Sequence, residues 1–294
     1  MEKLDSNQEK APQAVTADAA ALLRDFVALK LGGDLQKFKD FDLEELKDDT
    51  RFGCENPRQF DCDNTFIIRA VYVLLFRRAF PDLTDWREID TGKPYRGDTI
   101  HTFHTIFGRA MAEKPGCYYG IDRFAPVDKE LYDRIRRFHK TIHTLGNFVV
   151  LPNAAVQCSA RFLTLNTYWG TNRWRDYFDQ FLLALEPCLR NRADADKVLF
   201  RLVHERNEPA FGQYTSQDGF TRLAKNLLLD DFLDEAGHAK NLFADANGKV
   251  RFHWEKPQPS REVYLEAVTN YLDHAEKNIS ARADRMTEML KPFC

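Results

Sequence analysis

The sequence predicts a mostly α, α+β fold: a compact helical domain with a two-stranded central segment and a long C-terminal helix. Three observations carry that reading. Apolar residues recur at helical spacing along most of the chain, as in Leu22, Leu23, Phe26, Val27 and Leu31. The texture changes between Phe138 and Phe181, where two short apolar runs are bounded by Gly146-Asn147, Pro152-Asn153 and Gly170. Last, Tyr264, Val268, Tyr271, Leu272, Ala275, Ile279 and Met286 form one stripe that runs close to the C-terminus.

Taken in order, the polar residues 1–15 are expected to be a flexible N-terminus and 16–294 a single domain, with 194–294 the stretch able to form a C-terminal helical subdomain. Thr16 or Asp18 caps the first helix, and Gly32-Gly33 stops it. Phe38, Phe41, Leu43 and Leu46 suggest a short helix on the surface of the core. Asn64 or Thr65 caps a helix over 66–80 whose apolar residues surround nearly the whole circumference, which places it in the interior; Pro81 ends it. After a loop, Asp98 is expected to cap a helix with Ile100, Phe103, Ile106, Phe107, Ala110 and Met111 on one side. Asp128 opens another, with Leu131, Ile135, Phe138 and Ile142 inward.

The strand 148–151 is expected to pair with a second at 161–166. A helix starting near Thr171 or Asn172 turns Trp174, Phe178, Phe181, Leu182 and Leu185 inward. Helical pattern returns with Val198, Leu199, Leu202 and Val203, and again with Phe220, Leu223, Leu227, Leu228 and Phe232. Asn247-Gly248 marks a hairpin, and Ser260 caps the last helix.

Bulk properties exclude several classes. A chain of 294 residues buries roughly three quarters of the surface its unfolded form exposes, so it needs no metal or disulfide to hold a core. Forty-two basic and 45 acidic residues leave a net charge of −3, too balanced for a binder of nucleic acid or membrane surfaces through its overall field; any anion site must be local. The most apolar stretch, 66–76, is broken by Arg69 and is shorter than the roughly 18 apolar residues of a membrane span. The N-terminus lacks the layout of a signal peptide, and the six cysteines are scattered without a CxxC pair. A cytoplasmic protein with free thiols is the expectation.

Four constellations are able to carry chemistry. His101/His104 and His139/His143 are spaced to share a helix face and so to grip a metal. His139-Lys140-Thr141-Ile142-His143 lacks the glutamate of HExxH, and no metal ligand set is assigned from it. Asp61 and Asp63, two apart before a helix, form a candidate divalent-cation site or acid/base pair, in positions where helix caps are also expected. Asn166 through Arg175 combines a strand end, Gly170 and a helix start, a geometry that holds anions on backbone N–H groups, with Arg173 to add charge and Trp174 beside it. Arg134, Arg136, Arg137 and Lys140 are a basic helix face of the usual solvated kind. No GxxxxGK[ST], GxGxxG or GxSxG motif is present, which argues against the common nucleotide-hydrolysing, dehydrogenase and esterase classes.

The run Thr144-Leu145-Gly146-Asn147-Phe148-Val149-Val150-Leu151-Pro152-Asn153, followed by Leu163-Thr164-Leu165-Asn166, Gly170, Asn172-Arg173, Asp176 and Phe178-Asp179, resembles an uncharacterised bacterial family known as a domain of unknown function. The likeness covers mainly 144–182, with Phe60-Asp61-Cys62-Asp63 similar to the family's upstream acidic segment. Trp169 stands where that family has an arginine before the glycine. The resemblance implies where a site lies and assigns no activity. His143-Thr144-Leu145-Gly146-Asn147-Phe148 also looks like the LGN segment of a His-Asn nuclease domain of modification-dependent restriction systems, whose upstream Glu-His-Ile segment has no counterpart here.

The expectation is therefore a cytoplasmic ligand-binding or catalytic protein for a small phosphate- or carboxylate-bearing molecule, with Asp61 and Asp63 catalytic and Asn147, Asn166, Arg173 and Trp174 binding the ligand. Two alternatives stand beside it. One is a structural or interaction protein built on the C-terminal helix; the other is a metal-dependent nuclease or hydrolase using the histidine pairs. The sequence assigns no cofactor.

Overall fold

Residues 67–76 are all buried, Arg69 included, so the helix they form has no solvent face. It is the axis about which the rest of the chain packs. A computed structural model describes residues 10–90, 92–101, 129–158, 161–169, 178–244 and 261–294. In chain order its elements are α1 (Lys10–Lys30), α2 (Phe66–Phe76), β1 (Tyr95–Thr99), α3 (Lys129–Thr141), β2 (Phe148–Pro152), β3 (Val156–Cys158) and β4 (Arg161–Leu163). Then follow α4 (Leu165–Trp169), α5 (Phe178–Leu189), α6 (Lys197–Arg201), α7 (Glu208–Phe211), α8 (Gly219–Asn226) and α9 (Arg261–Leu290). The protein is mostly α with a small β element and a long C-terminal helix.

On α1 the expected stripe is inward: Leu23, Phe26 and Val27 are buried, with Leu31 just beyond the helix. Phe26 meets Phe38, Phe41 and Phe52 at centroid separations of 4.8, 5.3 and 5.3 Å, within the range of favourable tilted and edge contacts. The helix starts at Lys10, earlier than Thr16 or Asp18, so residues 10–15 are helical and not loose. Gly32 and Gly33 follow at φ 64° and 84°, left-handed values that favour glycine. Phe38, Leu43 and Leu46 lie deeper than a surface helix would put them, fully buried in two 3-10 turns that Asp34 and Asp42 cap. α2 ends at Phe76, and turns carry the chain to Phe80, because Pro81 disfavours helical angles at the residue before it.

The strand pairing differs from expectation. All five residues of β2 are buried, and their antiparallel partner is β1, in the register Tyr95↔Pro152 through Thr99↔Phe148. Arg161–Leu163 pairs instead with Val156–Cys158, a separate small ladder. Asp98 is thus a strand residue and not a helix cap; residues 102–111 of the expected helix lie outside the described residues, as do Gly170 to Asn172 and the Asn247-Gly248 turn. Glycine at 97 is what brings β1 into place. A Cβ there would lie 2.4 Å from the Asp63 carbonyl oxygen and 2.9 Å from the Tyr72 hydroxyl. Without one, the strand lies directly against the turn that precedes α2.

The C-terminal helix shares this core and is no extension from it. Tyr271, Leu272, Ala275, Ile279, Met286 and Leu290 of α9 are buried, and the helix runs against the turn Leu145–Asn147. A Cβ on Gly146 would come within 1.9 Å of the Ile279 carbonyl oxygen. Arg282 is 2% exposed and donates from one guanidinium nitrogen to the carbonyls of Gly146 (2.9 Å) and Phe148 (2.6 Å). From Nε and its other terminal nitrogen it donates to the carbonyl of Leu227 at 3.2 and 3.1 Å. Among the described residues no helix is long and apolar enough to cross a membrane.

Replacing Arg282 with methionine leaves three buried carbonyls without these donors, at about 1–3 kcal/mol for each unsatisfied group. Urea unfolding of Arg282→Met is therefore expected to show a loss of at least about 3 kcal/mol. Gly146→Ala is expected to lose about 2 kcal/mol or more by overpacking against α9. A midpoint unchanged in either variant contradicts this account of the contact.

Candidate functional site

Three carboxyl groups come together where the turn before α2 meets β1. Asp61 is exposed, Asp63 two residues on is 4% exposed, and Asp98 stands on β1. The turn Cys62–Asn64 positions the first two: Thr65 Oγ1 donates to the Cys62 carbonyl (3.1 Å), and the Tyr72 hydroxyl donates to the Asp63 carbonyl (3.2 Å). Those bonds engage the backbone and leave the Asp63 carboxyl to its neighbours. Its Oδ1 is buried with no hydrogen-bond partner.

Burial pushes the Asp63 carboxyl well above the usual carboxylate range, the charges of Asp61 and Asp98 push it further, and Arg96 pulls part of the way back. Asp61 lies beside Asp63 and favours its protonated form. Burial and neighbouring negative charge thus favour the protonated form of Asp63, which lies behind Asp61 at the surface. Arg96 is two residues from Asp98, so both project from one face of β1. Its Nε is buried without a hydrogen-bond partner, and among the described residues it forms no ion pair. Asn166, from α4, donates to Asp98 Oδ2 (3.0 Å) and toward the Gly97 carbonyl (3.4 Å), while its own Oδ1 is buried and unpaired.

Of the residues read from sequence, Asp61, Asp63 and Asn166 therefore meet here, joined through Asp98. Asn147 has a different role. Its side-chain amide donates to the carbonyls of His101 and Ile142, both at 2.8 Å, and its Oδ1 accepts the His101 backbone N–H at 2.8 Å. Both donors of a fully buried side chain are committed to backbone, so none is left for a ligand. Arg173 and Trp174 lie outside the described residues. Sequence reasoning missed Asp98 and Arg96; the alternation Arg96-Gly97-Asp98 was the available signal, concealed in what reads as a loop.

The histidine pairs differ: His139 on α3 and His143 just beyond it meet edge to face with ring centroids 5.5 Å apart. His101 follows β1 and is not on a helix; it is 1% exposed, bonds Tyr271 through Nδ1 (2.8 Å) and stacks on Phe232 at 5.3 Å. Burial drives its pKa down to about 3, so it is a neutral core imidazole. His104 lies outside the described residues. On α3, Arg136, Arg137 and Lys140 are exposed and Arg134 pairs with Asp273 of α9, which makes this basic face a solvated one with a single tether.

A cleft of about 550 Å³ opens between the segment 82–95 and residues 206–210, with Tyr95 in its wall. Its volume suits a small molecule, and Tyr95 is the residue before Arg96, so β1 leads from the cleft to the carboxyl cluster. No family model, curated protein or solved structure matches the chain.

Asp63 carries a pH signature. A carboxyl whose folded pKa is raised stabilises the fold fully below its unfolded value of about 4 and loses that contribution as pH rises toward the folded value. Asp179, pushed up to about 6 by burial, has the same sign. Asp63→Asn is therefore expected to keep or raise the melting temperature at pH 7, and to flatten its fall as pH rises above about 4. A variant that melts well below the parent at pH 7, with the slope unchanged, contradicts a raised pKa at this site.

Proposed function

We propose that the protein is an acid–base enzyme, cytoplasmic in location, acting on a small molecule that bears a phosphate or carboxylate. The carrying observation is the pair formed by a buried Asp63, its carboxyl held well above the usual carboxylate range, and a surface Asp61, beside an arginine with no ion-pair partner among the described residues. Two carboxyls in unlike environments divide the work of proton transfer, because the environment holds one protonated and leaves the other ionised at the same pH. Asp61 takes a proton from a substrate hydroxyl or from water. Asp63, beside it, spreads the charge and holds the proton that returns to the leaving group.

Arg96 supplies the positive charge for the substrate's anionic group, consistent with a near-neutral chain that needs a local cation for an anion. Asp98 and Asn166 position the arm of the site contributed by β1. Cys54, Cys62, Cys188 and Cys294 are free thiols, which favours a reducing compartment. The alternative of an interaction protein built on the C-terminal helix draws less support, since Tyr271, Leu272, Ala275, Ile279 and Met286 of α9 are already covered by the core.

Purified protein assayed against p-nitrophenyl phosphate, bis-p-nitrophenyl phosphate, p-nitrophenyl acetate and p-nitrophenyl glycosides is expected to turn over at least one of them. Asp61→Asn and Asp63→Asn are each expected to lower that rate about 100-fold or more, the usual scale of general acid–base catalysis. Glu235→Gln, on the exposed turn at residues 234–236 away from both the pair and the cleft, should leave the rate unchanged. Equal turnover in parent and both site variants, or none by the parent on any substrate, contradicts the reading.

A further inference from the structure

Next to the carboxyl pair is a second group of side chains that the acid–base reading does not use. One ligand atom from each of Asp42, Glu44 and His143 lies within 4.8 Å of the other two. The backbone builds this arrangement. Leu43, between the two carboxylates, donates its N–H to the carbonyl of His143 (3.1 Å), so the turn Leu43–Leu46 is fixed to the end of α3 with one carboxylate on each side of the bond. Asp42 accepts the Glu44 N–H through Oδ1 (3.0 Å), which orients the carboxylate and leaves Oδ2 available. Glu44 Oε1 is 3.2 Å from His143 Nδ1.

The geometry points to a divalent metal site in which Asp42, Glu44 and His143 bind a first-row transition ion of the zinc, cobalt or manganese class. Three donors of mixed oxygen and nitrogen type, from two segments distant in sequence, are the protein share of an open metal site and leave further positions for water or substrate. The donors must close by roughly 1 Å to reach bonding geometry, and Glu44 is exposed enough to move. Electrostatics favour a cation as well. The buried Cys62 thiol is pushed up first by burial and then by the charges of Glu44, Asp61, Asp63 and Asp42 in turn, so carboxylates of both clusters surround one residue. A divalent ion offsets that concentration of negative charge. The ordinary reading, a histidine bonded to a glutamate beside a capping aspartate, accounts for each contact singly; the metal reading adds that one donor from each of the three lies within 4.8 Å of the other two.

The test is direct binding of cobalt(II) to the full chain after metal is stripped with a chelator. One equivalent is expected to bind, with visible d–d absorption, to be displaced by zinc(II), and to broaden the ring-proton resonances of His143 before those of His101. Asp42→Asn and Glu44→Gln are each expected to weaken binding at least tenfold and His143→Asn to abolish it, with Glu45→Gln unchanged. If His143→Asn does not fold, the two carboxylate variants decide. No saturable binding, binding indifferent to Asp42→Asn and Glu44→Gln, or binding lost only in Asp61→Asn overturns the site. Because the readout is the metal itself, the result stands apart from turnover by the acid–base pair.

Discussion

One buried cation holds the fold together. Arg282 lies inside the protein with backbone carbonyls as its hydrogen-bond acceptors, from Gly146, Phe148 and Leu227. Its positive charge is removed from water, and burial lowers its pKa to about 9, yet it stays cationic at neutral pH. Such a group is tolerated only where several strong acceptors surround it. The three carbonyls come from two distant parts of the chain, the turn that leads into β2 and the end of α8, so neither part moves without breaking charge-assisted bonds. The Phe76 ring beneath the guanidinium, 5.4 Å from it, brings α2 into the same contact.

Structure is transmitted outward from this point by a few directional bonds. The turn at Gly146 fits against the backbone of α9 because it has no side chain, and the next residue, Asn147, clamps the start of the chain after β1 to the end of α3. That clamp and the bond from Ile100 N–H to the Asn147 carbonyl set the end of the β1–β2 ladder. Register then fixes Gly97 against Asp63, and with it the spacing of Asp98 and Arg96 from the pair on the turn before α2. The segment most prominent in the sequence, Leu145-Gly146-Asn147, is thus the joint that aims the site and is not its chemistry. A glycine and an asparagine are needed there for packing and for backbone bonding, which is sufficient reason for both.

The difference between what was legible and what was not follows from the range of the forces. Helices α2, α3, α5 and α9 were readable because the period of 3.6 residues records burial locally, and Phe138, Phe181 and Tyr271 all face inward as that period requires. β1 was not. Tyr95-Arg96-Gly97-Asp98-Thr99 carries turn-forming residues at its centre, and its strand character is conferred by the fully buried β2 beside it, a tertiary effect that propensity does not contain. The candidate site divides along the same line. Asp61 and Asp63 were visible as neighbours in sequence, whereas Arg96, Asp98, Asp42 and Glu44 acquire meaning only through pairing across long separations. Asn147 looked like a ligand residue by type and is a clamp by geometry, since an amide is equally suited to both.

The carboxyl cluster itself is not a stabilising feature. Asp63 is buried and unpaired at one oxygen, and the nearby carboxyl groups of Asp61 and Asp98 both raise the cost of ionising it. A methionine or leucine of similar volume would relieve desolvation and repulsion together. The surrounding structure nonetheless over-determines the arrangement: Gly97 is cleared of side-chain atoms to admit the Asp63 backbone, Tyr72 bonds its carbonyl, and Asn166 orients Asp98. Local cost imposed by a rigid and well-satisfied frame is what perturbed carboxyls at functional sites have in common. The cost accordingly weighs on the side of chemistry, and the frame supplied by Arg282 is what allows the protein to carry it.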